Sequence, residues 1–141
     1  MPYTRRELCL LLPALTASAG LAAPKPSLPS KAYRFEELPV RQNGANVSRA
    51  ILRGETHKGF PIEAHETSLA PGGMPHPPHH HSHEEMFLVR EGTIEVTISG
   101  KASRLGPGGV AYIASNEEHG IKNVGAAHAQ YFVIALGSEE A

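Results

Sequence analysis

From residue 33 onward, apolar residues come in short runs or in alternation, and each run is closed by glycine, proline or asparagine. The clearest case is 93–99, where Ile94, Val96 and Ile98 fall on one side and Thr93, Glu95, Thr97 and Ser99 on the other. A period of two places alternate side chains on opposite faces of a strand, so one face of this segment is built for a core. The same reading predicts strands over 33–35, 47–53, 60–69, 85–90, 93–99, 102–105, 110–114, 119–123 and 129–136. Nine short strands with close turns predict an all-β sandwich or barrel. The last of them, AQYFVIAL, is apolar on both faces. That pattern suits a strand lying between a barrel interior and a neighbouring sheet or subunit, and it points to a homodimer. Pro71-Gly72-Gly73 and Gly106-Pro107-Gly108-Gly109 mark two turns.

The chain has 141 residues, enough for one domain and too few for a second sizeable core. Its 12 prolines and 14 glycines leave no room for long helices. Formal net charge is -1, so no field exists to gather nucleic acid or anionic lipid, and neither is expected as a partner. All 14 acidic residues are glutamate. Any carboxylate that binds a metal or moves a proton is therefore a glutamate.

The N-terminus reads as an address. Arg5-Arg6, an apolar stretch and the small residues Ala17, Ser18 and Ala19 resemble a bacterial twin-arginine export signal, expected over 1–22. A periplasmic or extracellular location follows, with no stable membrane insertion once the signal is cleaved, because the apolar run is too short to span a bilayer. Cys9, the only cysteine, lies inside this segment, so the mature chain has no thiol chemistry. Residues 23–32, with Pro24, Pro26 and Pro29, are expected to form an extended tether, and 33–138 a single domain.

Five of the nine histidines fall in PHPPHHHSHEE, between His76 and His83. On an extended chain residues two apart share a face, so His79 and His81 form a chelating pair, and Glu85 brings an oxygen ligand at the same parity. Nitrogen and oxygen donors without thiolate suit one divalent transition metal, Fe, Mn, Ni, Co, Cu or Zn. His80 has the wrong parity, and His81-x-His83 is a competing frame. His57, His76 and His128 read as loop or surface residues.

These residues resemble the first motif of the cupin superfamily: Gly73, five residues, His79, one residue, His81, three residues, Glu85, six residues, Gly92. Pro107 and Gly109, followed by NEEHGIKN, resemble the second, looser motif. The Asp that often follows the glycine-rich turn in that family is missing. The resemblance covers roughly residues 60–136. It implies a double-stranded β-helix (jelly-roll) barrel, with His119 as the third imidazole beside His79, His81 and Glu85, and Asn123 as a companion of the site.

Three histidines and a carboxylate leave one or two positions open on a five- or six-coordinate metal. The expected function is a metal-dependent enzyme of oxygenase, isomerase or lyase type acting on a small polar organic molecule. The alternative is a non-catalytic module that captures a small ligand, such as a sugar acid, at the same metal. His65 and Tyr112 are candidates for handling a proton, and Phe87, Asn123 and Tyr131 for lining the pocket. His65 shares a strand face with Thr67 and Leu69.

Overall fold

A computed structural model describes residues 27–137. The expected export signal and the first part of the tether lie outside the described residues. Alternation becomes nine strands: β1 (Val40–Asn43), β2 (Asn46–Glu55), β3 (Pro61–Leu69), β4 (Glu84–Glu91), β5 (Ile94–Ile98), β6 (Lys101–Leu105), β7 (Val110–Ile113), β8 (His119–Asn123) and β9 (Ala129–Leu136). Six of them form one antiparallel sheet in the order β1-β2-β3-β9-β4-β7, and three form a second, β6-β5-β8. The result is the expected all-β jelly roll.

The two sheets close on a core that the alternation selects. Ile94 and Val96 of β5 meet Ile121 of β8, Phe87 and Val89 of β4, Tyr131 and Val133 of β9, with Leu69 and Ile113. On β9 the inward residues Ala129, Tyr131, Val133 and Ala135 are buried, while Phe132 and Ile134 are half-buried on the outer face and Leu136 is exposed. Gly92 closes the β4–β5 turn with φ +77, and a Cβ there would stand 2.7 Å from the backbone of Ala129. Both facts require glycine at this motif position.

Two segments differ from the alternation reading. Residues 33–35 do not form a strand; the chain there runs into one turn of 3-10 helix, Phe35–Glu37. β1, by contrast, is a strand that the pattern misses, since its four residues are all exposed. The Phe35 ring packs between two guanidinium groups, with Arg49 at 4.7 Å and Arg90 at 4.3 Å from its centroid. Arg49 also donates to Glu66 at 2.9 Å, and Glu66 is fully buried. A buried carboxylate needs such a partner, so this pair fixes the packing of the 3-10 turn over β2 and β3. The chain is engaged earlier than residue 33: the Leu28 amide donates to the Glu55 carbonyl at 2.8 Å, and Ser27 bridges to Glu55 in parallel.

Candidate metal centre

The histidine-rich segment 76–83 carries no long strand of its own. It is pinned between the two sheets by backbone hydrogen bonds. The His79 amide donates to the His119 carbonyl at 3.0 Å and the His119 amide to the His79 carbonyl at 2.9 Å. The Asn116 amide donates to the His81 carbonyl at 2.7 Å. These bonds attach His79 and His81 to the start of β8 in the three-stranded sheet, while Glu85 projects from β4 in the six-stranded one. The cluster therefore sits where the two sheets meet.

The four side chains converge. One nitrogen each from His79, His81 and His119 lie within 4.8 Å of one another. Oε2 of Glu85 is 3.2 Å from Nε2 of His119 and 3.5 Å from Nε2 of His81. His119 is buried, and the other three are half-buried. Nδ1–H of His119 donates to the Glu117 carbonyl at 2.9 Å, and Nδ1–H of His81 to the His83 carbonyl at 2.8 Å. A carbonyl only accepts, so in the neutral rings both Nε2 atoms carry lone pairs. Those lone pairs face an anionic carboxylate oxygen. Two acceptors at 3.2 Å do not form a hydrogen bond, and Nε2 of His81, Nε2 of His119 and Nδ1 of His79 are buried without a hydrogen-bond partner. Such orphaned groups cost about 1 to 3 kcal/mol each unless a cation satisfies them. The donor set thus fits a divalent metal, and the carbonyl-bonded Nδ1–H groups are the outer partners that fix a ligating imidazole.

Burial and the neighbouring imidazoles His76, His119 and His81 lower the His79 pKa from 6.5 to about 4, which keeps this ring neutral and able to ligate at neutral pH. His83 belongs to a different layer. Its ring stacks on His81 with centroids 3.5 Å apart, and its Nε2 lies 3.3 Å from Oε1 of Glu85, the oxygen that does not face His119. His81, His83 and Glu85 form a second candidate group.

A cavity of about 260 Å3 opens beside the cluster, lined by Glu85 and His119 at its base and by Phe87, Tyr131, Ile121 and Val133 on its apolar wall. Its polar wall carries His65 and Thr67 of β3, Asn46 and Ser48 of β2, and Arg41 and Asn43 of β1. Phe87, Tyr131 and His65 thus line the cavity. Tyr131 is nearly fully buried, and burial raises the pKa of its hydroxyl despite a hydrogen bond with Thr67, so it stays protonated. Nδ1 of His65 lies 2.8 Å from Oε1 of Glu63.

Two other sequence candidates do not line the cavity. Tyr112 lies on the outer face of the six-stranded sheet, opposite Met86, is 50% exposed and bonds to Glu84, which raises its pKa. Inward parity on β7 belongs to Ala111 and Ile113. Asn123 is fully buried, but its amide holds backbone: it donates to the carbonyls of Leu69 at 2.9 Å and Ala127 at 2.8 Å, and accepts from the Gly125 amide at 2.9 Å. Conversely, no motif or alternation in the sequence marks Arg41, Asn43, Asn46 and Ser48 as pocket residues. Arg41 and Asn43 are on the strand whose sequence carries no alternation. Asn46 ties the Gly73 turn to β2, donating to the Met74 carbonyl at 3.0 Å and accepting from the Ala70 amide at 3.3 Å. A Cβ on Gly73 would stand 2.8 Å from Oδ1 of Asn46, which explains the glycine at the start of the first motif. His76, read as a loop residue, lines the cavity with its ring edge-on to His79, at 4.1 Å between centroids.

Residues 65–135, half of the chain, match the sequence family described as "Cupin domain". The chain belongs to the cupin superfamily. Among proteins similar to this cupin is L-ectoine synthase of Bordetella petrii, 35% identical over 74 residues, or 52% of this chain and 54% of that protein. The L-ectoine synthase of Bordetella parapertussis matches to the same degree. The cupin thus spans about half the length of the curated relatives it matches. Its fold is similar to that of a predicted oxalate decarboxylase from Thermotoga maritima, with TM-score 0.68, 19% identity, and coverage of 77% of this chain and 100% of that one. The polyketide cyclase RemF from Streptomyces resistomycificus is also similar, with TM-score 0.63, 21% identity and coverage of 77% and 80%. At these identities the likeness is one of fold. Among the described residues no helix is long and apolar enough to cross a membrane.

Proposed function

We propose that this cupin is a metal-dependent enzyme of the oxygenase, isomerase or lyase type that acts on a small polar organic molecule, with the metal held by His79, His81, Glu85 and His119. One observation carries the reading: buried ring nitrogens of His79, His81 and His119 have no hydrogen-bond partner, lie within one triad, and Oε2 of Glu85 stands against the two of them, His81 and His119, whose Nδ1–H protons are already donated to carbonyls. A metal there supplies a Lewis acid or an oxygen-activating centre. The chain supplies the rest. Glu63 accepts from Nδ1–H of His65 and leaves the other ring nitrogen of His65 to take or give a proton in the cavity. Phe87, Ile121 and Val133 keep water from one side of a bound molecule, and the protonated Tyr131 hydroxyl does not compete for the cation.

The similarity to L-ectoine synthase and the likeness in fold to a polyketide cyclase and a predicted oxalate decarboxylase support an enzymatic reading over a passive binding module. Export by a twin-arginine signal is part of the same proposal and rests on the sequence of residues 1–22. So is assembly as a homodimer through the outer face of the six-stranded sheet. The test of catalysis is chelation of the purified protein followed by reloading with each candidate metal, assayed on panels of small hydroxy and keto acids. An enzyme shows turnover that follows one metal and falls at least tenfold in His65→Gln with metal content unchanged. Binding without turnover for every metal favours the binding module.

A further inference from the structure

The polar side of the cavity beside the metal centre borders a second space. Arg41, Ser48 and His65 also line a second, outer groove of about 880 Å3, formed where the segment after residue 30 lies against β1, β2 and β3. The two spaces adjoin at these three residues. The groove is lined by Lys31, Arg34, Arg41 and Arg53 against only two carboxylates, Glu37 and Glu63. Both carboxylates are engaged: Glu37 lies 3.6 Å from Arg34, and Glu63 holds His65. Arg41 and Arg53 have no ion-pair partner among the described residues. A chain whose net charge is -1 thus carries an excess of two positive charges in the groove that borders its metal cavity. Arg41, the one fixed cation lining the inner cavity, stands at the junction.

We infer that the groove is an anion-selective vestibule and that the substrate is a small organic acid whose carboxylate, remote from the metal, docks on Arg41. This rests on the metal-dependent reading for the other end of the molecule. The guanidinium offers a planar, two-pronged donor that matches a carboxylate. Unpaired cations around a groove raise the local concentration of anions, an effect that salt screens. The apolar wall opposite holds the carbon skeleton, and the inner cavity's size limits the substrate to a small molecule.

The probes are 2-hydroxypropanoate and 2-hydroxysuccinate, which present the same hydroxy acid to a metal and differ by one remote carboxylate. Calorimetric titration of nickel-loaded full-length protein is expected to show the dicarboxylate binding about tenfold or more tightly, with the gap narrowing as salt rises. Arg41→Gln should bring the two affinities together, weakening the dicarboxylate far more than 2-hydroxypropanoate. Arg104→Gln, at a residue on β6 paired with Glu95, should not alter the ratio. The inference is overturned if the nickel-loaded protein shows no preference, or a preference that survives Arg41→Gln. Chelator-treated protein and the measured metal content separate the two readings. A chain that takes up no metal but keeps an Arg41-dependent, salt-sensitive preference contradicts the metal reading and supports the vestibule; one that does neither contradicts both.

Discussion

A histidine ring is a ligand only if its proton is placed elsewhere, and the carbonyls of His83 and Glu117 do this for His81 and His119. Glu85 then divides its oxygens, Oε2 toward the centre and Oε1 toward His83. His83 accordingly acts as a positioning residue: His83→Ala should retain the metal with affinity reduced by about tenfold, whereas alanine at His79 or His119 should abolish stoichiometric binding. Dialysis against a competing chelator measures both. The lowered pKa of His79 gives a further outcome. The unfolded ring protonates near 6.5 and the folded ring near 4, so below 6.5 protons favour the unfolded chain. Stability of the metal-free protein should be unaffected by His79 above pH 6.5 and decline as pH falls from 6.5 to 4, and His79→Asn should flatten that part of the urea-midpoint profile.

At the scale of elements, β5 was fully legible because one of its faces is apolar and the other polar, and the core takes the apolar one. β7 was legible as a strand but not in its facing. VAYIA is apolar on both sides, so nothing in it assigns Tyr112 outward and Ala111 and Ile113 inward; only pairing with β4 does. β1 buries nothing, and so its sequence carries no alternation; it exists through its pairing with β2. The Tyr33 and Phe35 aromatics suggested a strand, yet Phe35 is held by Arg49 and Arg90, residues distant in sequence. The site followed the same rule. His79, His81 and Glu85 could be read from parity and spacing, and His119 from family resemblance. The Asn123 amide satisfies turn backbone, a role that spacing does not distinguish from lining a pocket. The Arg49–Glu66 pair could not be read either, since it joins residues of two strands whose register the sequence does not state. Arg49→Met should cost about 3 kcal/mol by leaving a buried carboxylate without its partner, and adding Glu66→Leu should recover most of the loss. Urea denaturation of the two variants measures the difference.

For the whole molecule, no described residue covers the outer face of the six-stranded sheet over β9, β4 and β7. Phe132, Ile134, Met86 and Leu88 are half-buried there, next to Val110 at 53%, Tyr112 at 50% and Leu136 at 38% exposure. The proposed homodimer would seat a second copy on this face and so account for a last strand that is apolar on both sides. Light scattering on a sizing column should give a dimer, and Val110→Glu with Leu136→Glu a folded monomer; a wild-type monomer contradicts the proposal.

The proposed centre is a single metal bound between the two sheets by residues of both motifs. Elemental analysis of the mature protein, purified without an affinity tag, tests it most directly when run beside His81→Ala and His119→Ala. The account predicts one equivalent of a divalent transition metal in the wild type and its loss in both variants, with folding retained by circular dichroism. A folded wild type without metal, or metal retained in His119→Ala, would contradict it and leave the histidine run as a surface chelator beside an organic pocket.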